Sequence, residues 1–571
     1  MRKVGRVTPK SWPALTTLST PAVVFPDAWS EFCISDCYNL YLQDWVSNYA
    51  RKIIRSDLSN RADLMASCNS LLEHGFLRLH GAVIPSTSVN AGMGRQCAVK
   101  KLSDLIQKEF GHDCKALQSI TLIDFDSAIQ RIISTYKQND PKISRMDHFS
   151  QWLANFSPDE QDPIGTLGQC VDSSSEGQVD VTIERVDPNV KCLTSLRRPK
   201  LVRLLGNDGH WRSWLVKGGE DLRQDTSIQR LLGFANYAIA SATTTTPTGA
   251  STEPLRTYTV VPVSSSRGLI QWLDSTTTLF AFTMNAMTVR ETERYLAESS
   301  ELAAKAASHS GDFLWDSEAE ASSMVLQFTE LEDFVFSLRL LRRGLRNAVA
   351  TSAEHFVTLR HRLISSHAAI CAVHFILGVG DRHMGNFLLD TSTGSLVGID
   401  FGYAFGVTLS FPTPEYVPIR LTASLRELLE PSGPAGLFGS ALYRTLAALR
   451  HHSNLFLSII QPFVEDNSST DWSVYSQRYN QSEEEYQRCR LSLLRRKLIG
   501  HCPAELLIDD LRGRFGTSDW FTHFEVIART TVASAGGSIV LPPAEQVRRL
   551  VCLSTCPELL ARMHAGWSAA L

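Results

Sequence analysis

The chain has 571 residues, is 43% hydrophobic and 20% charged, and carries a net charge of −3, the make-up of an ordinary globular protein with room for more than one core. No bulk basic field points to nucleic acid or an anionic membrane. No stretch approaches the roughly 20 apolar residues of a membrane span, so no membrane association is expected, and Met1–Leu15 lacks the apolar run of a secretory signal.

Residues 1–156 read as a helical segment. Trp29, Phe32, Cys33, Cys37, Leu40, Tyr41, Trp45, Tyr49 and Ile53 recur at three- and four-residue steps, as do apolar residues over Ile120–Tyr136. Residues 157–178 are rich in Ser, Gly and Asp and read as a linker. A strand-rich lobe is expected over about 179–270, with strands at Val179–Val186, Leu201–Leu205, Trp211–Lys217 and Arg256–Val263. It is interrupted by Ser241–Pro254, a Thr/Ser/Pro/Gly stretch read as a disordered insertion. A helical lobe follows over about 271–540. In it the Ala/Glu/Ser-rich Glu293–Ala321 reads as a surface insertion, Leu326–Ala348 and His355–Val379 as helices, and Phe387–Ile399 as a hairpin. Residues 541–571 form a tail. The close cysteine pairs, Cys33/Cys37 and Cys552/Cys556, each lack a second Cys/His pair nearby, so free thiols are expected rather than a zinc site.

The strongest chemical signal is Gly380-Asp-Arg-His-Met-Gly-Asn-Phe387 followed by Ile399-Asp-Phe-Gly402. A turn centred near residue 393 makes Asn386 and Asp400 equidistant from it, so both should leave adjacent strands side by side. An amide oxygen and a carboxylate suit Mg²⁺, which prefers hard oxygen ligands. Asp381 lies five residues before Asn386, the Asp-to-Asn spacing of the protein-kinase catalytic loop, although here the order is Asp-Arg-His. Each piece alone has a bland reading: Asp-Phe-Gly as a turn, Asn386 as a cap, His383 as a structural histidine. Their joint spacing around one hairpin outweighs those readings.

A second signal is Leu215-Val-Lys-Gly-Gly-Glu-Asp-Leu-Arg-Gln-Asp225. Lys217 ends an apolar strand and can reach nucleotide phosphates as a point charge. Glu220 and Asp225 are its candidate acidic partners. A third is the strand Tyr258–Val263, then a flexible Ser264–Gly268 stretch, then Leu269–Leu273. That suits a hinge with Trp272 beside an adenine, and Trp272 as plain core is an equal reading.

These segments, together with Arg197-Arg-Pro-Lys200, Thr259–Leu273 and Gly398–Gly406, resemble the kinase domain of the phosphatidylinositol 3-kinase-related protein kinases. The resemblance covers about residues 140–571. The last thirty residues resemble that family's FATC tail through Glu545-Gln-Val547, Pro557-Glu558, Arg562-Met563 and Gly566-Trp567. It implies an α+β, bilobal protein-kinase-like fold, preceded by the end of a helical FAT region, with the kinase domain over 179–540. It implies ATP and Mg²⁺ as cofactors and transfer to Ser or Thr, with a Ser/Thr-Gln preference. By position it puts Ser195 over the phosphates, Lys217 on them with Glu220 and Asp225 as neighbours, and Tyr258 and Trp272 beside the adenine. Asp381 would orient or deprotonate the substrate hydroxyl, His383 would stabilise the transferring group, Asn386 and Asp400 would hold Mg²⁺, and 400–420 would be the activation loop. The best-matching branch implies a nuclear role in double-strand break repair by non-homologous end joining, with the Ku heterodimer and DNA ends as partners. Tyr403 in place of His, Met384-Gly385 in place of a Leu-Asn type pair, Cys556 in place of Asp and the Ser568-Ala-Ala-Leu571 end are departures. The family's large helical solenoid is missing, so the chain reads as a fragment or a truncated product.

A lipid kinase would share this site but needs cations in its activation loop for an anionic headgroup. Residues 402–419 contain no Lys or Arg and do contain Glu415, which favours a protein substrate. A catalytically idle scaffold is the remaining alternative, against which stand Lys217, Asp381, Asn386 and Asp400.

Overall fold

A computed structural model describes residues 104–111, 115–121, 124–125, 127–129, 131–132, 143–158, 164–167, 181–193, 199–243, 253–264, 267–308, 318–411, 413–465, 472–516, 518–533, 540–563 and 570–571. The helical face expected over Trp29–Ile53, most of the 157–178 linker, the loop holding Ser195, the centre of the Ser241–Pro254 insertion, and Gly566-Trp567 lie outside these residues. The chain divides into two compact units, 1–223 with 259–272, and 224–258 with 273–571.

The smaller unit is built on a seven-stranded antiparallel sheet. Its strands are β1 (Ile143–Arg145), β2 (Ile183–Val186), β3 (Asn189–Cys192), β4 (Lys200–Gly206), β5 (Trp211–Gly218), β6 (Val260–Ser264) and β7 (Arg267–Gln271). They lie in the order β1-β3-β4-β5-β7-β6, with β2 also on β4. The alternation visible in the sequence is the alternation of faces. In β4, Val202 and Leu204 are buried, Leu201 and Leu205 half-buried, and Arg203 exposed. The buried set joins Trp214, Val216, Val261 and Leu269 in one core with Leu153 of a short helix, α1 (Gln151–Ala154), whose N-cap Ser150 accepts the Leu153 N–H. Of the stretch Ser264–Gly268, expected to be flexible, Arg267 and Gly268 begin β7, a strand paired on both sides. Leu269 is wholly buried there, and Gly268 brings the strands so close that an added Cβ would stand 2.7 Å from the Val261 carbonyl oxygen.

In the larger unit, α2 (Arg223–Thr243) was not foreseen. Its signal is present: Ile228, Leu231, Leu232, Ala235, Ala238 and Ile239 are buried at helical spacing. The Glu293–Ala321 stretch is also a correction. It falls largely in α3 (Val289–Ser308) and the start of α4 (Glu318–Leu338), and Tyr295 is in the core. Ala and Glu are strong helix formers, so that composition builds solvated helix faces whose other side, at Tyr295, is buried, rather than an insertion lying on the surface. The central helix is α5 (Ala353–Leu377), capped by the Ser352 hydroxyl and buried without interruption from Leu363 to Leu377. It ends at Gly378, whose φ of 61° is left-handed. β8 (Thr276–Thr278), β9 (Phe387–Asp390) and β10 (Leu396–Gly398) form a small sheet in the order β10-β9-β8. The Ser366 hydroxyl on α5 accepts the Leu396 N–H at 2.9 Å and ties the hairpin to the helix. Later helices include α6 (Leu437–His451), α7 (Glu483–Ile499), α8 (Pro503–Phe515) and α9 (Pro543–Ser554). The chain end closes on the same core, where Leu559, Leu560, Ala570 and Leu571 are buried with Tyr416, Ile508 and Phe524. Among the described residues no helix is long and apolar enough to cross a membrane. The α+β architecture read from the sequence is the one observed.

Candidate active site

The hairpin sets the geometry. Phe387 pairs with Gly398 and Leu389 with Leu396, and the Ile399 N–H donates to the Asn386 carbonyl at 3.0 Å. Asn386 therefore faces Ile399, and Asp400 lies one residue beyond the expected partner position. The cause is the turn: Asp390 closes on Ser395 across four residues, and an even number shifts the register by one from a turn centred on a residue. Asp390 also accepts from Ser392 N–H at 2.8 Å and Thr393 N–H at 3.2 Å, and it is ion-paired with Arg256.

The loop ahead of β9 is pinned to the segment after β10. Gly380 N–H donates to Tyr403 O, Phe405 N–H to Leu377 O, and Gly406 N–H to Gly378 O, at 2.8–2.9 Å. Asp381 and Asp400 both stand in left-handed backbone, at φ 54° and 60°. Most residues with a side chain pay about 1–2 kcal/mol there and aspartate is among the few that tolerate it; such conformations gather where side chains must be aimed.

Arg382 was not singled out in the sequence, and it is the clamp. Its guanidinium donates to Gly380 O, to Ile399 O and to Asp400 O, and lies over the Phe401 ring. Burial lowers its pKa, opposed by Asp400, Glu415 and Asp381. Three carbonyls converging on one fork of donors are what identify it, and that convergence has no local sequence signature.

Asn386 is buried and donates through Nδ2 to the Asp381 carbonyl at 2.8 Å. This commits its nitrogen as donor and leaves Oδ1 as the acceptor end. Asp400 is exposed, just past a buried hairpin. An amide oxygen and a carboxylate are hard donors, so this pair fits Mg²⁺ and leaves positions for water or phosphate oxygens. His383 accepts the Gly385 N–H on Nδ1 at 3.0 Å. Burial holds its imidazole below the ordinary range against the pull of Asp381, so the neutral ring carries its hydrogen on Nε2. A Cβ at Gly385 would stand 2.7 Å from His383 Cε1, so the glycine is what lets the ring lie there.

Asp225, expected beside Lys217, is engaged with the Asp-Phe-Gly motif. It accepts the Phe401 N–H at 3.0 Å, while its neighbour Gln224 donates to the Phe401 carbonyl at 2.7 Å. The first turn of α2 thus holds both backbone groups of Phe401. Tyr258 is buried, and its N–H donates to Gln229. Burial, then the negative charge of Asp225 and Asp400, pushes its phenol well above the ordinary range. Glu415 accepts the Asp381 N–H at 2.8 Å, and desolvation raises its carboxyl to about 7.

The smaller unit holds the other expected residues. Lys217 lies on β5 opposite Gly268, 2.9 Å from Glu220 Oε1, with both side chains only partly exposed. Trp272 is half-buried rather than core, and its N–H donates to Ser213 O at 2.9 Å. Ser195 is outside the described residues.

Residues 211–474 match the family model described as phosphatidylinositol 3- and 4-kinase. That places a phosphatidylinositol 3- and 4-kinase domain within the chain, which is similar to the phosphatidylinositol 3-kinase-related kinases, as its motifs indicated. Its curated relatives include the DNA-dependent protein kinase catalytic subunit of Gallus gallus, 30% identical over 97% of this chain and 13% of that protein. The same subunit of Xenopus laevis is 29% identical over 83% of this chain and 12% of that protein. The serine-protein kinase ATM of Sus scrofa is 27% identical over 75% of this chain and 13% of its own length. The chain thus spans only about an eighth of the length of these relatives. CtTel1 in its open conformation superposes with a TM-score of 0.53 at 20% identity, covering 96% of this chain and 20% of that one, a likeness of fold.

Proposed function

We propose that this chain is an ATP-dependent serine/threonine protein kinase of the phosphatidylinositol 3-kinase-related class, similar in role to the DNA-dependent protein kinase catalytic subunit. One observation carries the reading: Arg382 and the β9–β10 hairpin lock together the two loops that bear Asp381, Asn386 and Asp400. A scaffold has no use for two strained aspartates aimed by so many backbone contacts.

In this reading the substrate hydroxyl oxygen attacks the γ-phosphorus in line. Asp381 orients that hydroxyl and accepts its proton, and the bond to the β–γ bridging oxygen breaks to release ADP. The Nε2–H of His383 donates to the transferring oxygens, and Lys217, steadied by Glu220, binds the phosphates by preorganised electrostatics. Asn386 and Asp400 would hold Mg²⁺, whose charge would offset that of the phosphates. Ser195, Tyr258 and Trp272 are assigned to the nucleotide, and Asp225 to holding the Asp-Phe-Gly backbone. The kinase domain is taken as 179–540 and the tail 541–571 as FATC-like, with 1–156 as the end of a FAT-like region. A protein substrate is favoured over a lipid because residues 402–419 carry no cation of their own. A preference for Ser/Thr-Gln, a nuclear setting, and action with the Ku heterodimer at DNA ends in end-joining repair follow from kinship alone.

The test is labelling from radioactive ATP of a Ser-Gln peptide beside a phosphoinositide extract. Peptide labelling is expected, falling by roughly 10²-fold or more in Asp381→Ala and Asp400→Ala, with nucleotide binding surviving Asp381→Ala. Labelling of lipid alone overturns the substrate assignment, persistent activity of Asp400→Ala overturns the metal assignment, and inactivity of the wild type favours the scaffold.

A further inference from the structure

Glu415 belongs to the loop after the Asp-Phe-Gly motif, and none of the chemistry above uses it. Its Oε1 is nevertheless the acceptor for the backbone N–H of Asp381, at 2.8 Å. The Thr408 side chain of the same loop acts to lower the pKa of the Glu415 carboxyl, against its burial. Thr408 also fills the space beside Gly380: a Cβ there would fall 2.1 Å from Thr408 Cγ2. Asp381 itself is in left-handed backbone, a conformation uncommon for a residue with a side chain but one that aspartate can adopt. On its other flank the chain is fixed by Arg382, anchored to Ile399 and Asp400, and by Asn386, which donates to the Asp381 carbonyl. Asp381 is therefore held at its carbonyl from the metal side and at its N–H from the activation loop. Release of either hold lets φ relax and swings the carboxylate.

We infer that Glu415 is a positioning residue for phosphoryl transfer, holding the Asp381 backbone in its left-handed turn so that the seating of the 402–420 loop and the aim of the Asp381 carboxylate are one equilibrium. The inference rests on the reading of Asp381 as the group that handles the substrate hydroxyl.

The experiment uses the full chain with ATP and a Ser-Gln peptide titrated in turn, each at saturating concentrations of the other, and compares wild type with Glu415→Ala, Glu415→Gln and Asp381→Ala. Backbone amide exchange is followed across 378–387 and across α5. In Glu415→Ala, kcat should drop about tenfold or more, with the KM for ATP unchanged. The Asp381 amide should lose protection while α5 keeps its own. Glu415→Gln should recover most of kcat, because its amide oxygen can still accept the Asp381 N–H. Unchanged kcat in Glu415→Ala, or a rise in peptide KM alone, while Asp381→Ala is dead, overturns this inference and leaves the catalytic reading standing. Full activity of Asp381→Ala overturns the catalytic reading and the inference with it. If Glu415→Ala loses protection throughout α5, Glu415→Asp decides, since it keeps the charge and withdraws the carboxylate by one methylene. A fall in kcat there upholds the inference and an unchanged kcat overturns it.

Discussion

Strand β5 of the smaller unit and the β9–β10 hairpin of the larger one each carry candidate catalytic groups, and they do so in opposite ways. In β5, buried Trp214, Val216 and Gly218 alternate with half-buried Ser213, Leu215 and Lys217. A sheet with one face partly open can hold an ammonium in mid-strand, because the side chain points toward water or a partner such as Glu220. In the two strands of the hairpin every residue but half-buried Leu388 is buried. Such a hairpin cannot carry charge along its length, so its polar groups sit at its extremities: Asn386 and Asp400 at the open end, and Asp390 with Arg256 at the turn. The open end then needs outside support, which comes from Arg382, Gln224 and Asp225. A charge within a half-open strand is positioned by the strand itself, whereas a charge beyond a buried hairpin is positioned by distant side chains.

That contrast can be broken first at Arg382. Arg382→Ala leaves the carbonyls of Gly380, Ile399 and Asp400 without their donor. It should cost about 3 kcal/mol or more of stability in denaturant unfolding and abolish peptide phosphorylation. Arg382→Lys should not rescue it, since one ammonium cannot reproduce a planar fork; rescue by Lys would mean that charge, not geometry, holds the hairpin end. Lys217→Met is the counterpart in β5. The fold should be nearly indifferent, within about 1 kcal/mol for a partly exposed ion pair, while ATP affinity measured by calorimetry should drop about tenfold or more. Unfolding of that variant would show that β5 needs its charge for structure.

The smallest effect concerns Lys497, a buried ammonium of α7 that donates to the Phe375 carbonyl at 2.8 Å. Loss of water, with Arg490 adding to it and Asp510 opposing, brings its pKa down from 10.5 to about 7. Between those values the unfolded chain binds a proton that the folded chain does not, so this group makes stability rise with pH over that window and reduces it as pH falls toward 7. Lys497→Met should therefore gain on wild type near pH 7, and the gain should shrink as pH approaches 10 in thermal unfolding series. A constant difference would contradict the reading that burial lowers the Lys497 pKa in the folded chain.

Much was legible in the sequence because it is local. Alternation marks β4 and β5, the apolar run marks α5, and the spacing of Asp381, Asn386 and Asp400 around a turn marks the candidate site. Helix α2 was equally legible by period, but the polar insertion after it drew the reading toward strand and loop. The composition of Glu293–Ala321 misled because it says how a segment meets water, not whether it is coiled.

Other features were decided only when the chain closed on itself. Gln224 and Asp225 grip Phe401 from 177 and 176 residues away, and Asp225 reads locally as a partner for Lys217. Glu415 meets Asp381 across 34 residues, and the one-residue register of the hairpin follows from a turn whose closing pair the sequence leaves open. Periodicity and spacing are written in neighbouring residues, so the sequence alone determined many of the elements and pointed to the class of chemistry. Hydrogen bonds to backbone groups carry no side-chain signature at the accepting or donating residue, and so only the tertiary structure could determine what aims the catalytic groups.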